Sequence, residues 1–441
     1  MLWRNHMSFP RCLIISHNVI GENGNMGKTL RAYFENWPTD KLAQLYFHSE
    51  VPTTGLCQRY FRVTDVDLVK ALWRFKRPGT ALGTEDIEYE AATTRVDEGS
   101  VAAWYQRGRQ RKPWIYFARN ALWSLGQWKS RRLDEWIREF APDVIFYASG
   151  DYTFSFRIAQ YISKKYGIPL VTSVVDDYYF YRKDTKGILA KWNTRHFRAV
   201  MQQTMDMSSY VLYVHPAMQR KYKEKFLAPS DVLYANAPLY DVPVNREGPA
   251  CVSYMGGLSL NRYLALKEIG QVLLKLVPDG SVLLDVYSSE RNPEILKHMT
   301  QENGICFKGQ ISFEKVQQTI QNSDIVVMAE TCDPEILERI RYSLSTKVAE
   351  CLGSGRCLLA YGPAEAGSIG YLLEHNAGCV ATTHQELETQ LKKILFAPEV
   401  RKAYADGQKV LAMKHHTQQR NHEILFRALK TAATKNGEKR G

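Results

Sequence analysis

Lys347 and Glu350 stand three residues apart behind two hydroxyl side chains, Ser345 and Thr346, in the run Tyr342-Ser343-Leu344-Ser345-Thr346-Lys347-Val348-Ala349-Glu350-Cys351-Leu352-Gly353-Ser354-Gly355-Arg356. Ser345 or Thr346 can cap a short helix whose free N–H groups attract an anion such as a diphosphate. Lys347 adds a positive charge beside it. Glu350 falls one turn on, on the same face, where a carboxylate can accept both hydroxyls of a ribose. Gly353 and Gly355 permit the sharp return into the apolar strand Leu358–Tyr361. An ordinary capped helix on the surface of an α/β domain is the plainer alternative.

A second group lies upstream, in Val252-Ser253-Tyr254-Met255-Gly256-Gly257-Leu258-Ser259-Leu260-Asn261-Arg262. A strand ends in Gly256 and Gly257, where backbone can approach phosphate, and Arg262 offers a rigid multi-donor fork at the start of a helix. Tyr287-Ser288-Ser289 and Gly309-Gln310-Ile311 are loops at two further strand ends. In the N-terminal half, Asp176 and Asp177 close another strand as a carboxylate pair, but the Asp-x-Asp order of metal-dependent transferases is absent, and no metal site is expected. His415-His416 has no ligand companions at useful spacing and is expected at the surface. The loop Gly21-Glu22-Asn23-Gly24-Asn25-Met26-Gly27-Lys28-Thr29 imitates a phosphate-binding P-loop. It encloses five residues between Gly21 and Gly27 where that loop needs four, and it puts Glu22 where an acid would repel phosphate.

The Lys347–Glu350 block resembles the donor-sugar site of GT-B glycosyltransferases, above all the family 4 type. Those enzymes carry a Ser/Pro-x-Lys-x-x-Glu-x-Leu-Ala-x-Gly-x-Pro-Val-Leu-Ala segment. The resemblance implies a nucleotide-sugar substrate, no required cofactor, a diphosphate contact from Arg262 supported by Asn261, and a nucleobase pocket at Gly309 and Ile311. It also implies that Gly24 and Asn25 close over the diphosphate from a first, acceptor-binding domain. Asp176 or Asp177 would orient an acceptor hydroxyl or the donor sugar, with retention at the anomeric carbon. Family 4 members usually hold two glutamates eight positions apart, and Tyr342 stands where the first would be. Glu330, Asp333, Glu335 and Glu338 are the upstream acids able to replace it.

Positioning these groups requires strands alternating with helices, the signature of layered α/β domains with parallel sheets. Strands are expected at Cys12–Ser16, Leu42–Phe47, Pro142–Tyr147, Ile168–Thr172, Tyr210–Val214 and Asp231–Tyr234. After a proline-bearing stretch, Asn236–Pro249, they resume at Cys251–Met255, Val282–Tyr287, Cys306–Lys308, Ile325–Ala329, Cys357–Tyr361 and Cys379–Ala381. The expected fold is two doubly wound Rossmann-like domains facing a cleft (GT-B). Residues 1–238 would form the acceptor domain, 249–415 the nucleotide-sugar domain, and 416–441 a last helix crossing back to the first.

With 441 residues and 45% apolar content the chain can build such cores. No apolar run reaches the roughly 18 residues of a membrane span, and Met1–Pro10 shows no secretory h-region. Eight cysteines without a C-x-x-C pair fit a reducing, cytoplasmic setting. The net charge of +12 favours polyanionic partners. Between Trp104 and Arg132 eight Lys/Arg and no acid interleave with aromatics, a composition suited to an anionic bilayer surface more than to nucleic acid, and a buried aromatic helix with a solvated basic face is its plain alternative. The expected activity is hexosyl transfer from a UDP- or GDP-sugar to a lipid-linked or growing polysaccharide acceptor at the inner membrane face. A nucleotide-sugar epimerase of similar fold and a non-catalytic nucleotide-binding protein are the alternatives.

Overall fold

A computed structural model describes residues 8–21, 25–74, 78–87, 113–181, 187–241 and 249–437. The chain forms two compact units, one of Met1–Leu233 with His422–Gly441, the other of Tyr234–Asn421.

The first unit is built on eight strands: β1 (Cys12–Ser16), β2 (Leu42–Tyr46), β3 (Arg59–Arg62), β4 (Thr80–Leu82), β5 (Val144–Ala148), β6 (Leu170–Val174), β7 (Ser208–Tyr213) and β8 (Ser230–Val232). Their order across the sheet is β4-β3-β2-β1-β5-β6-β7-β8. Every pair is parallel except β3–β4, which is antiparallel. Helices cover both faces, so the central strands are buried along their whole length and read as unbroken apolar runs such as CLIIS and VIFYA. The helix Arg131–Phe140 shows the local rules. Ser130 caps it by accepting from the Leu133 N–H, Leu133, Trp136, Ile137 and Phe140 form its buried stripe, and Ala141 ends it at φ 46°. The last helix, Gln418–Gly437, buries Ile424, Leu425, Phe426, Ala428, Leu429 and Ala432 in this unit's core, beside Cys12, Phe34, Trp37 and Phe146.

The second unit has six parallel strands: β9 (Val252–Met255), β10 (Leu284–Tyr287), β11 (Ile305–Gly309), β12 (Ile325–Ala329), β13 (Cys357–Tyr361) and β14 (Cys379–Ala381). Their order, β11-β10-β9-β12-β13-β14, is that of a dinucleotide-binding doubly wound sheet, with its reversal between β9 and β12. Those two strands pair only at Val252–Ile325 and Ser253–Val326, so they diverge toward their carboxyl ends.

The two doubly wound parallel-sheet halves bear out the expected fold class. β3 and β4 were not expected from the sequence. Each is short, and in β3 the apolar pair Tyr60-Phe61 is flanked by Arg59 and Arg62. The basic aromatic segment divides. Residues 104–112 lie outside the described residues. Trp123 and Trp128 are core residues, Trp123 stacking on Phe154 at 4.0 Å, and only Lys129, Arg131 and Arg132 of that stretch's basic residues are exposed among those described. No helix among the described residues is long and apolar enough to cross a membrane.

Candidate functional site

In doubly wound sheets ligands sit beyond the carboxyl ends of the strands, at the reversal of strand order. In the second unit that place is the exit of β9. The chain leaves Met255 through Gly256, whose φ is 155°. A Cβ on Gly256 would fall 1.7 Å from Lys347 Nζ and 3.2 Å from the Tyr254 hydroxyl. The missing side chain is therefore the room in which the Lys347 ammonium sits. Lys347 Nζ donates to Tyr254 Oη at 3.3 Å and lies 4.8 Å from that ring's centroid. Tyr254 Oη in turn donates to the Gly257 carbonyl at 2.7 Å. The ammonium is thus fixed at the strand exit by one hydroxyl and a ring face, with no carboxylate among the described residues paired to it.

Arg262 opens the helix Arg262–Leu276 after two residues in the left-handed region, Leu260 (φ 61°) and Asn261 (φ 56°). Its guanidinium is held by Glu330, the first residue past β12, with Nε and Nη2 donating to the two carboxylate oxygens at 3.0 and 3.2 Å. Glu330 is only 3% exposed. Burial works against the arginine's charge, and the Glu330 carboxylate outweighs it, so the Arg262 pKa is raised. Beside this pair, Asn261 Nδ2 donates to Asp333 at 3.1 Å, and Asp333 caps the helix Pro334–Ile340. Of the four upstream acids, Glu330 alone is buried at the reversal. Asp333 is a cap, and Glu335 and Glu338 are exposed on the helix that follows.

Ser345 precedes the helix Thr346–Gly353 without a side-chain capping bond. Its own N–H donates to Ser368 Oγ at 3.0 Å. Val348, Ala349, Cys351 and Leu352 bury one face, while Thr346 is exposed and Glu350 half-buried. At the neighbouring strand ends, Gly256 N–H donates to the Tyr287 carbonyl and Ser288 N–H to the Gly309 carbonyl, both at 2.9 Å. Gly309 (φ 74°) faces open space, and Ile311 is half-buried. The second unit therefore gathers Gly256, Gly257, Asn261, Arg262 and Lys347 around the exit of β9, with Gly309 on the adjoining loops.

The other sequence-derived residues belong to the first unit. Gly24 lies outside the described residues, and Asn25 begins the helix Asn25–Phe34. Asp177 is buried, and its oxygens accept from Tyr222 Oη (2.8 Å), Phe180 N–H (3.0 Å) and Tyr181 N–H (3.2 Å). Asp176 is exposed and accepts from the Tyr178 hydroxyl at 3.3 Å. Asp177 thus anchors the loop after β6, while Asp176 is the one of the pair that faces solvent.

No family model and no curated protein sequence matches the chain. Solved structures do. An α,α-trehalose 6-phosphate synthase from Burkholderia multivorans superposes with a TM-score of 0.61 at 10% identity, over 98% of this chain and 99% of its own. Sucrose-phosphate synthase from Thermosynechococcus elongatus gives 0.59 at 11% identity, over 96% and 99%. Anabaena HepE, solved with UDP and glucose, gives 0.59 at 14% identity, over 96% and 100%. The chain has the GT-B fold. Within the GT-B framework its first unit also carries a strand-end cluster that the sequence reading passed over. His17 follows β1, His48 lies just past β2, and Tyr152 lies just past β5, with His17–His48 and His17–Tyr152 ring centroids 5.6 and 4.9 Å apart. The available signal was positional: both histidines stand one or two residues beyond strands that the sequence does reveal.

Proposed function

We propose that this protein is a glycosyltransferase that moves a hexosyl group from a UDP- or GDP-sugar to an acceptor. The second unit binds the donor and the first unit the acceptor. The reading rests on the Lys347 ammonium, seated over Gly256 at the strand-order reversal of a GT-B fold without a carboxylate partner among the described residues. It is placed to neutralise charge on the departing nucleoside diphosphate. Arg262 keeps Nη1 for the same phosphates while Glu330 holds its other edge. The N-terminus of the helix Thr346–Gly353 adds backbone dipoles, and Glu350 takes the ribose hydroxyls. These cations serve in place of a required metal. Two of the matched structures were solved with uridine ligands, HepE with UDP and glucose and an E. coli trehalose-6-phosphate enzyme with UDP-2-fluoroglucose. Those ligands support a uridine donor.

The transfer retains anomeric configuration, and the acceptor is lipid-linked or a growing surface polysaccharide. The protein meets the inner membrane face peripherally through its basic first unit. Calorimetric titration with UDP, GDP, ADP and ATP, with and without magnesium, tests the donor. Metal-independent binding of UDP or GDP is expected. Preference for magnesium-ATP, or no nucleotide binding, would overturn it. Analysis of the products of donor turnover separates transfer from epimerisation, which would release an altered nucleotide-sugar without an acceptor.

A further inference from the structure

The first unit has its own reversal of strand order, between β1 and β5, and the backbone there is held by buried polar bonds. Gln44, fully buried on β2, donates from Nε2 to Ser16 Oγ (2.8 Å) and to the Asn18 carbonyl (3.1 Å), and accepts from the Ile20 N–H (3.0 Å). The His17 carbonyl accepts from Phe47 N–H at 3.1 Å. His17 is thereby fixed where the strands end, its ring against those of His48 and Tyr152.

Its polar atoms are unused. His17 Nδ1 is sealed from solvent with no hydrogen-bond partner, and Nε2, which is not sealed, has none among the described residues either. With nothing fixing the tautomer, Nε2 can accept or donate. Thr153, at the start of the helix after β5, is buried, and its Oγ1 also lacks a partner. Buried polar groups are nearly always satisfied, so two such atoms at one strand-order reversal call for a ligand or water. The loop that leads from β5 to Thr153 faces open space at Gly150, where a Cβ would meet nothing within 4 Å.

We infer that His17 is an acceptor-binding residue whose Nε2 takes a hydroxyl of a neutral sugar end at the carboxyl edge of the first unit's sheet. This deepens the transferase reading and rests on it. The local charges favour a neutral ligand over a phosphate. Arg119, whose guanidinium lies 4.2 Å over the Tyr152 ring, is paired with Asp65 at 3.0 Å, and Trp123 Nε1 donates to the same carboxylate. Glu50 is engaged by His48 and Asn18, each at 3.4 Å. Burial, then Arg119 and His48, push the His17 pKa well below its usual value, so the ring adds no cation at neutral pH.

The test follows the His17 ring by NMR in the full chain with labelled histidine, assigned by its loss in His17→Gln. Methyl glucoside, methyl mannoside and methyl galactoside are titrated to about 100 mM, with glucose 6-phosphate as the anionic comparator. A saturable shift of the His17 resonance by at least one methyl glycoside is expected, with affinity for that glycoside, followed in both proteins through the neighbouring His48 ring, at least fivefold weaker in His17→Gln. No shift with any sugar, a clear preference for the phosphate, or unchanged affinity in a folded His17→Gln protein would overturn the inference. If UDP and GDP bind but His17 stays silent, the inference alone fails. If His17 responds and no nucleotide binds, the transferase reading is what fails.

Discussion

Lys347 and Arg262 are two cations at one strand exit in opposite situations. Lys347 has a hydroxyl and a ring face as partners, so its charge is left for a ligand. Lys347→Met should cost at least tenfold in UDP affinity, since a hydrogen bond to a charged group is worth about 1.5–3 kcal/mol. It should shift the melting temperature by no more than a few degrees, and titration beside a thermal scan checks both. Arg262 is half consumed by Glu330, a carboxylate 68 residues away in sequence. Removing one partner of a buried ion pair strands the other's charge, at about 3–5 kcal/mol when burial is complete. Arg262 keeps 18% of its side chain exposed, so Glu330→Gln should destabilise by about 2–3 kcal/mol in denaturant melts. It should also weaken nucleotide binding, because the guanidinium loses its orientation. A variant as stable as the parent would show that the pair contributes little.

The helix Thr346–Gly353 is placed by close approaches of backbone. A Cβ on Gly353 would lie 2.1 Å from the Pro238 carbonyl oxygen, and one on Gly367 would lie 2.4 Å from that of Ser343. Gly353→Ala should therefore cost about 2–4 kcal/mol, as overpacking against backbone does, and loosen donor binding with it. The sequence displayed this helix through its apolar face and closing glycines, because those signals are local, while the expected side-chain cap at Ser345 does not form. It could not display what the helix docks against. The Pro238 contact, the Glu330–Arg262 pair and the left-handed turn at Leu260-Asn261 all depend on chain brought in from elsewhere. The long strands were legible for the same local reason, and short β3 and β4 were not. His415-His416, read from sequence as surface, shows this again. His416 is fully buried, its Nδ1 2.9 Å from the Ala235 carbonyl and its Nε2 3.0 Å from Tyr371 Oη, which also meets His415 Nδ1 at 2.9 Å. Burial disfavours the charged ring and brings the His416 pKa down to about 4, outweighing the Ala235 carbonyl, which by accepting from Nδ1 favours the protonated form. The unfolded chain binds that proton near pH 6.5 and the folded one does not. Stability should therefore fall as pH drops from about 6.5 toward 4, by about 2–3 kcal/mol for this group. His416→Gln should make that part of the curve shallower in denaturant melts at stepped pH, the remaining slope belonging to His415, whose pKa burial also brings down to about 4.

Both units repeat one solution, a parallel sheet with a reversal of strand order and its polar residues at the carboxyl edge, and the chain as a whole carries a net charge of +12. Sedimentation with phosphatidylserine vesicles should capture the protein at low salt and release it as ionic strength rises. Equal capture by neutral vesicles would dismiss the electrostatic reading. The chain's path makes a sharper demand. The segment that completes the first unit is made after the whole of the second, since Ile424, Leu425, Phe426 and Leu429 of one helix fill a core whose members outside that helix precede Tyr234. Burying four such side chains is worth roughly 6–12 kcal/mol, against about 5–15 kcal/mol for the whole stability of a typical domain. A chain ended after Asn421 keeps the second unit's own ties, Tyr234 N–H to Asn421 Oδ1 and Asn421 Nδ2 to Asn236 Oδ1. Such a chain should lose the cooperative melting of the first unit in calorimetry while the second still melts and binds UDP. Loss of both transitions would mean that the second unit leans on the first for its stability, and retention of both would mean that the last helix is an ornament to a core complete without it.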